Sequence, residues 1–264
     1  MKLQQTVLAV AVIALAACGG PDAVDTEAAA AQDGEAASAG AASAEPFTPR
    51  EMTEAEIPPG IHEDSLARLP RITRESLDAD GQRAYDVIVH PDSRYSDGLR
   101  GPIGMWMYSP LMAEHLFPAS SYLRFGADGN RDQRLAELAI LTAARLLDSQ
   151  YEWSAHEGLG RSAGLEDEII DLIRYDRPLA DAGDLPGLGE TERTIIRAVR
   201  EMILEPKLSD ETFEAAQRLL GNTGIMDLAG LIGHYTTVNY TLKAFDIQRP
   251  PGSMLTLPPR DSLP

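Results

Sequence analysis

Arg134-Leu135-Ala136-Glu137-Leu138-Ala139-Ile140-Leu141-Thr142-Ala143-Ala144-Arg145 is the stretch on which the reading of the fold turns. Leu135, Leu138, Ala139, Leu141 and the following Leu146 recur at helical rather than alternating spacing, and Asn130 stands ahead of them as a candidate cap. Glu137 is the anomaly in this apolar run. It lies either on a narrow solvent stripe or in the interior. If buried, its pKa rises and it can donate a proton near neutral pH.

The same periodicity extends outward in both directions. Ala84, Tyr85, Val87 and Ile88 form a stripe within 80–89, stopped by Pro91. Ser109-Pro110 reads as a cap followed by proline at the first helical position, and Pro118 is expected to break or kink the helix that follows. Downstream, helices are expected over 150–163, closed by Gly164, and over 166–174. Residues 177–189 form a loop. Helices then cover 191–204, ended by Pro206, and 210–220, capped by Ser209 and stopped by Gly221. The last spans 226–245, where Thr236, Thr237, Val238 and Tyr240 also allow a strand on propensity; the length of the apolar pattern favours helix. The tail 248–264 holds five prolines and is expected to be extended. The fold class is all-α.

Composition narrows the function. The 264 residues are 44% hydrophobic and 24% charged, the mix of a folded domain with its own core. There are 23 Lys+Arg against 41 Asp+Glu, a formal charge of -18. This argues against nucleic acid, whose phosphates need a basic footprint, and against adsorption to anionic lipid through protein charge. With one cysteine, Cys18, no intramolecular disulfide, two-thiol redox centre or four-cysteine zinc site is available.

The N-terminus reads as an address. Lys2 precedes an uncharged apolar stretch over 7–17, too short to span a membrane and suited to a signal peptide. Leu15-Ala16-Ala17-Cys18-Gly19 resembles the lipobox of bacterial lipoproteins, which implies lipidation of Cys18, export, and membrane contact only through that lipid. An ordinary secretory signal with a chance cysteine is the alternative. No Asp follows Cys18 directly, which in the enteric sorting rule favours the outer over the inner membrane. Residues 18–46 then read as a disordered tether: 19–46 hold 11 Ala and six acids, no basic residue, and only Val24 as a sizeable aliphatic. Removing those acids and Lys2 leaves -13 on 47–264, a charge read chiefly as an aid to solubility.

Tyr151-Glu152-Trp153-Ser154-Ala155-His156 is the second chemical stretch. Glu152 and His156 are four apart and share a helix face, so the carboxylate can orient the imidazole and favour its protonated form. Ser149 falls on that face and Trp153 beside it, where it could wall a site. A metal site from Glu137, Glu152 and His156 is disfavoured, because His156-Glu157 lacks the second histidine of H-E-x-x-H. No metal is therefore expected. His234, beside Tyr235 and Asn239, reads either as a core or interface histidine or as a pocket residue; His62, His90 and His115 read as loop or surface residues.

Glu137 to His156 together read E-x11-S-x2-E-x3-H. This resembles the thiol-free branch of the carboxymuconolactone decarboxylase and alkylhydroperoxidase D-like superfamily, whose peroxidase branch has E-x11-C-x2-C-x3-H. Ala163-Gly164-Leu165, the Gly101–Trp106 segment with Ser109-Pro110, and Gly230 to Tyr235 through Asn239, Leu242 and Phe245 extend the resemblance over roughly 70–258. It implies one all-α, alkylhydroperoxidase D-like helical domain over 47–264 with its core at about 70–247, assembled as a trimer or hexamer. Ser149 and Glu152 occupy the two thiol positions and cannot cycle through a disulfide, so thiol peroxidase chemistry is not expected. The resemblance implies instead a lyase-type, cofactor-free reaction on a small unsaturated lactone or keto acid. His156 would be the proton donor poised by Glu152, with Glu137 assisting and Ser149, Trp153, Trp106 and His234 shaping the pocket. A non-catalytic small-molecule binding or assembly protein on the same fold is the alternative.

Overall fold

The structure, a computed structural model, describes residues 47–263. The signal peptide 1–17, the lipidation site Cys18 and the tether 18–46 expected from sequence lie outside the described residues.

Eight helices carry the described chain: α1 Ala79–Ile88, α2 Gly101–Trp106, α3 Pro110–Phe125, α4 Gln133–Leu146, α5 Gln150–Ser162, α6 Asp167–Arg174, α7 Glu190–Leu204 and α8 Asp210–Phe245. The described residues are otherwise poor in strand: β1 (Arg50–Glu51) pairs antiparallel with β2 (Met254–Leu255) in the register Arg50 to Leu255, and an isolated bridge joins His62 to Ala67.

Three local expectations need correction. Asp132, not Asn130, caps α4: its carboxylate accepts the Leu135 N–H at 3.1 Å, and an ionised acceptor also suits the positive helix end. α3 runs unbroken through Pro118. That proline is exposed while Phe117 and Ser120 face inward, so water can satisfy the Glu114 carbonyl that lost its donor. The final helix starts directly after Gly221 rather than at 226. Gly221 adopts φ +69°, ψ 173°, which divides α8 into arms 210–220 and 222–245; L-residues with a Cβ resist that conformation.

α4 is central. Its residues 136–146 are all buried, and it packs on α5, α6, α7 and α8. One apolar core joins Leu138, Ile140 and Leu141 to Ile169 and Ile173 of α6, Ile196 and Val199 of α7, and Leu231 of α8. A second gathers Ala84, Ile88, Leu99, Ile103, Trp106 and Phe117 against Val238 and Leu242. At about 1.5–3 kcal/mol per fully buried large side chain, these two cores dominate the favourable side of folding. The second arm of α8 contributes to both.

The tail crosses back over this body. Arg145, 1% exposed, donates to the Pro258 carbonyl at 2.7 Å, and Arg260 donates to the Arg145 and Leu146 carbonyls at 3.2 and 3.3 Å. These bonds offset the ordering entropy of a proline-rich segment with little regular structure of its own.

Candidate functional site

α4 and α5 approach closely because of Gly160. A Cβ there would sit 3.3 Å from Leu141 Cδ1, 3.4 Å from Leu165 Cδ2 and 3.6 Å from Glu137 Cβ. One turn earlier on α5, His156 consequently reaches across to α4. Its Nδ1 lies 2.6 Å from Glu137 Oε2. Glu137 Oε1 accepts from Arg124 Nη2 of α3 at 3.0 Å. All three side chains are substantially buried.

The two readings of Glu137 are thus separated: it is interior, with 2% exposure. Burial alone would raise its pKa, as the sequence suggested. The hydrogen bond and charge of His156, then Arg124, outweigh burial and hold the carboxyl below the usual glutamate range. An ionised Glu137 only accepts, so Nδ1 carries the proton and donates it to Oε2.

Glu152 takes a different place from the one expected. The carboxylate that orients the imidazole is Glu137, contributed by the neighbouring helix. Glu152 Oε2 stands 3.5 Å from the other nitrogen, Nε2, and no group donates a hydrogen bond to its side chain among the described residues. Burial pushes its pKa up, against the pull of His156 and of Arg124, Arg249 and Arg94. Tyr235 of α8 places its hydroxyl 3.3 Å from the same Nε2, and burial drives that phenol further above its ordinary range. The imidazole therefore has an anion on one nitrogen and two groups biased toward their neutral, proton-bearing forms near the other.

Nε2, Glu152 and Tyr235 open onto a cavity of about 370 Å³. Arg94, Arg100, Arg124 and Arg249 line it, with Tyr95, Tyr151 and His234. Arg124 is paired with Glu137. The other three arginines form no ion pair among the described residues and rest on aromatic rings instead. Arg94 and Arg100 lie 5.2 and 5.3 Å from the Tyr95 ring, and Arg249 lies 5.2 Å from Tyr151. Burial and the nearby Glu152 charge push the Tyr151 phenol up to about 12. In so acidic a chain, three unpaired guanidiniums around one cavity give it the chemistry to attract an anion.

The remaining sequence candidates separate into two groups. His234 lines the cavity. Trp153 does not: the residue after Glu152 is turned about 100° around the helix. Its ring is fully buried and its Nε1 donates to Glu157 at 3.0 Å, away from His156. Trp106 also lies behind the cavity wall, donating to Thr241 Oγ1 at 3.1 Å and meeting His234 edge-on at 5.6 Å. Ser149 is buried at the N-cap of α5 and is absent from the cavity lining; its backbone carbonyl accepts the Trp153 N–H at 3.0 Å. Sequence reasoning missed Arg124, Tyr235 and the unpaired arginines. The legible trace was arginine next to an aromatic residue, as in Arg94-Tyr95 and Arg124-Phe125. His62, His90 and His115 are exposed. Among the described residues no cluster of three or more His, Cys, Asp or Glu could hold a metal ion, and no helix is long and apolar enough to cross a membrane.

No family model matches the chain, and no curated protein matches it. A solved structure similar to it is that of a protein of unknown function from Agrobacterium tumefaciens, described as a candidate AhpD antioxidant defence protein. It is 20% identical, with a TM-score of 0.47, over 57% of this chain and 98% of that one.

Proposed function

We propose that the cavity carries cofactor-free acid/base chemistry on a small anionic oxo acid or lactone, of the decarboxylase (lyase) type. The observation that carries this reading is the pair of buried carboxyls on one imidazole. Glu137 is held ionised at Nδ1, while Glu152 is biased toward its neutral form near Nε2. A group that must give or take a proton at carbon needs such a poised imidazole, and its cavity-facing nitrogen must be free of structural duty. Nε2 lies at the cavity, and its protein neighbours are the Tyr235 hydroxyl at 3.3 Å and Glu152 at 3.5 Å, the two groups that can pass it a proton.

In this reading the unpaired arginines hold the substrate carboxylates. The electron pair of the breaking bond moves toward a carbonyl, carbon dioxide leaves, and the protonated His156 returns a proton to carbon. Glu137 keeps the ring oriented and stabilises the imidazolium. Glu152 or Tyr235 can resupply the proton to Nε2. Ser149 offers no thiol, so thiol peroxidase turnover is not expected. Export, a lipid anchor on Cys18 facing the periplasm, and a homotrimer or hexamer belong to the same proposal.

Turnover of a panel of small lactone and oxo acids, followed by carbon dioxide release, tests the reading. Activity on a panel member that His156→Ala abolishes, with the helical fold intact by circular dichroism, supports it. Turnover unchanged in His156→Ala removes the role assigned to the imidazole. The three unpaired arginines favour a second reading, an anion-binding protein without catalysis. That reading predicts saturable binding with no product formed, and binding that survives Glu137→Gln.

A further inference from the structure

His234 is a second imidazole in the same cavity, and the acid/base steps above leave it unused. It is 8% exposed, yet its Nδ1 is sealed in the protein with no hydrogen-bond partner. Its Nε2 has no hydrogen-bond partner among the described residues either and is not sealed as Nδ1 is, which leaves it as the nitrogen toward the cavity that the ring lines. Two aromatic neighbours hold the ring. Trp106 meets it at 5.6 Å and 83°, and Tyr235 at 5.1 Å and 80°. Trp106 is itself fixed by its bond to Thr241, which in turn donates to the Thr237 carbonyl at 2.9 Å. Tyr235 also stands edge-on to His156 at 5.1 Å, so one tyrosine separates the two imidazoles.

The surroundings of the two rings differ. His156 has a carboxylate on Nδ1. His234 has none; burial, then the charges of Arg94 and Arg124, bring its pKa down to about 4. At neutral pH it is an uncharged ring. A neutral imidazole must choose a tautomer, and an N–H buried without an acceptor is the costlier choice. That leaves the lone pair on Nδ1 and the N–H on Nε2, facing the cavity.

We propose that His234 is a substrate-contacting residue whose neutral Nε2–H hydrogen-bonds the carbonyl oxygen of the bound oxo acid or lactone. This rests on the acid/base reading above and deepens it by assigning the electrophile. In a decarboxylation the electron pair of the C–C bond to the departing carboxylate moves onto the adjacent carbon and into the carbonyl. Carbon dioxide leaves and an enolate oxygen forms. His234 stabilises that oxygen without surrendering its proton, and carbon then takes a proton from His156. No electrons are gained or lost overall. An uncharged donor suits this position, since it leaves the arginines to the carboxylates and the proton to His156.

The test uses the full-length chain and two probes of equal charge and chain length, 4-oxopentanoate and pentanoate. The wild type binds the oxo acid roughly three- to tenfold more tightly, the worth of one neutral hydrogen bond. His234→Phe binds both acids alike, at the pentanoate affinity of the wild type. His234→Gln, which can still donate, restores part of the preference and serves where the phenylalanine variant does not fold. No preference in the wild type, or a preference retained in His234→Phe, overturns the assignment of His234 while leaving the anion cavity standing. Failure of both acids to bind the wild type overturns both the assignment and the anion-binding reading beneath it. The nitrogen shifts of the His234 ring give a readout without any ligand. They show a neutral Nε2–H tautomer at pH 7 if the proposal holds, and an imidazolium or an Nδ1–H tautomer contradicts it.

Discussion

Glu152 and Glu157 are buried glutamates on the same helix, 6% and 4% exposed, and the fold treats them in opposite ways. Glu157 looks toward α6 and the tail. It accepts from Arg174, from Arg161 at 2.6 Å, from Trp153 Nε1 at 3.0 Å and from Thr256 of the tail. Glu152 looks toward the cavity and accepts from no one among the described residues. A carboxylate surrounded by donors is spent on structure, and its charge is fully used. A buried carboxyl without donors costs the fold stability in its ionised form, and such a group is retained where chemistry needs it. Two i,i+4 pairs therefore run side by side on α5: Trp153 with Glu157 facing the tail, and Glu152 with His156 facing the cavity.

The largest expected effect is on the structural side. Glu157→Ala leaves Arg174 buried without its main counter-charge and unties Thr256, so it costs about 3–5 kcal/mol in chemical denaturation. A loss below about 1 kcal/mol would erase the contrast. On the cavity side, His156→Ala lowers turnover by on the order of 10²–10⁴-fold while costing less stability than Glu157→Ala. Equal losses of stability would make both sides structural.

His234 predicts a pH dependence. Its folded pKa is depressed to about 4 from the ordinary 6.5, so the unfolded chain binds the extra proton first. Its contribution is fully present above pH 6.5 and is lost as pH falls toward 4, a drop on the order of 3 kcal/mol in urea midpoints across that window. His234→Phe flattens it. Glu152→Gln has the opposite sign from Glu157→Ala. The folded pKa of Glu152 is raised above the ordinary 4.5, so the folded state favours the protonated form. The glutamine variant is therefore more stable than the wild type at neutral pH, by roughly 1–3 kcal/mol, and the gain fades as pH falls from the raised folded pKa toward 4.5, below which it is gone. A destabilised Glu152→Gln at pH 7 would mean that Glu152 has a donor after all.

Much of the fold could be read from the chain, because helices declare themselves locally. The stripes at 84–88, 135–146 and 195–203, together with Gly221 and Pro206, carry their own period and punctuation. Pro118 misled because its cost depends on which face of α3 it occupies, and that is a tertiary fact. The site was legible only within one helix. Spacing along α5 joined Glu152 to His156, but the closer carboxylate came from α4, brought there by the room at Gly160. Trp153 was placed beside the site by proximity in sequence, whereas a turn of about 100° puts it on the neighbouring face, where it donates to Glu157. The cavity arginines come from the loop before α2, from α3 and from the tail, and no local pattern joins such distant segments.

The account depends on one electrostatic claim, that the two carboxyls flanking the His156 ring are driven in opposite directions. Carboxyl titration of the full-length chain by carbon-13 NMR, with Glu137→Gln and Glu152→Gln to assign the signals, measures it directly. The account predicts that Glu137 titrates below 4.5 and Glu152 above it. Two ordinary midpoints near 4.5, or the reverse order, would contradict it.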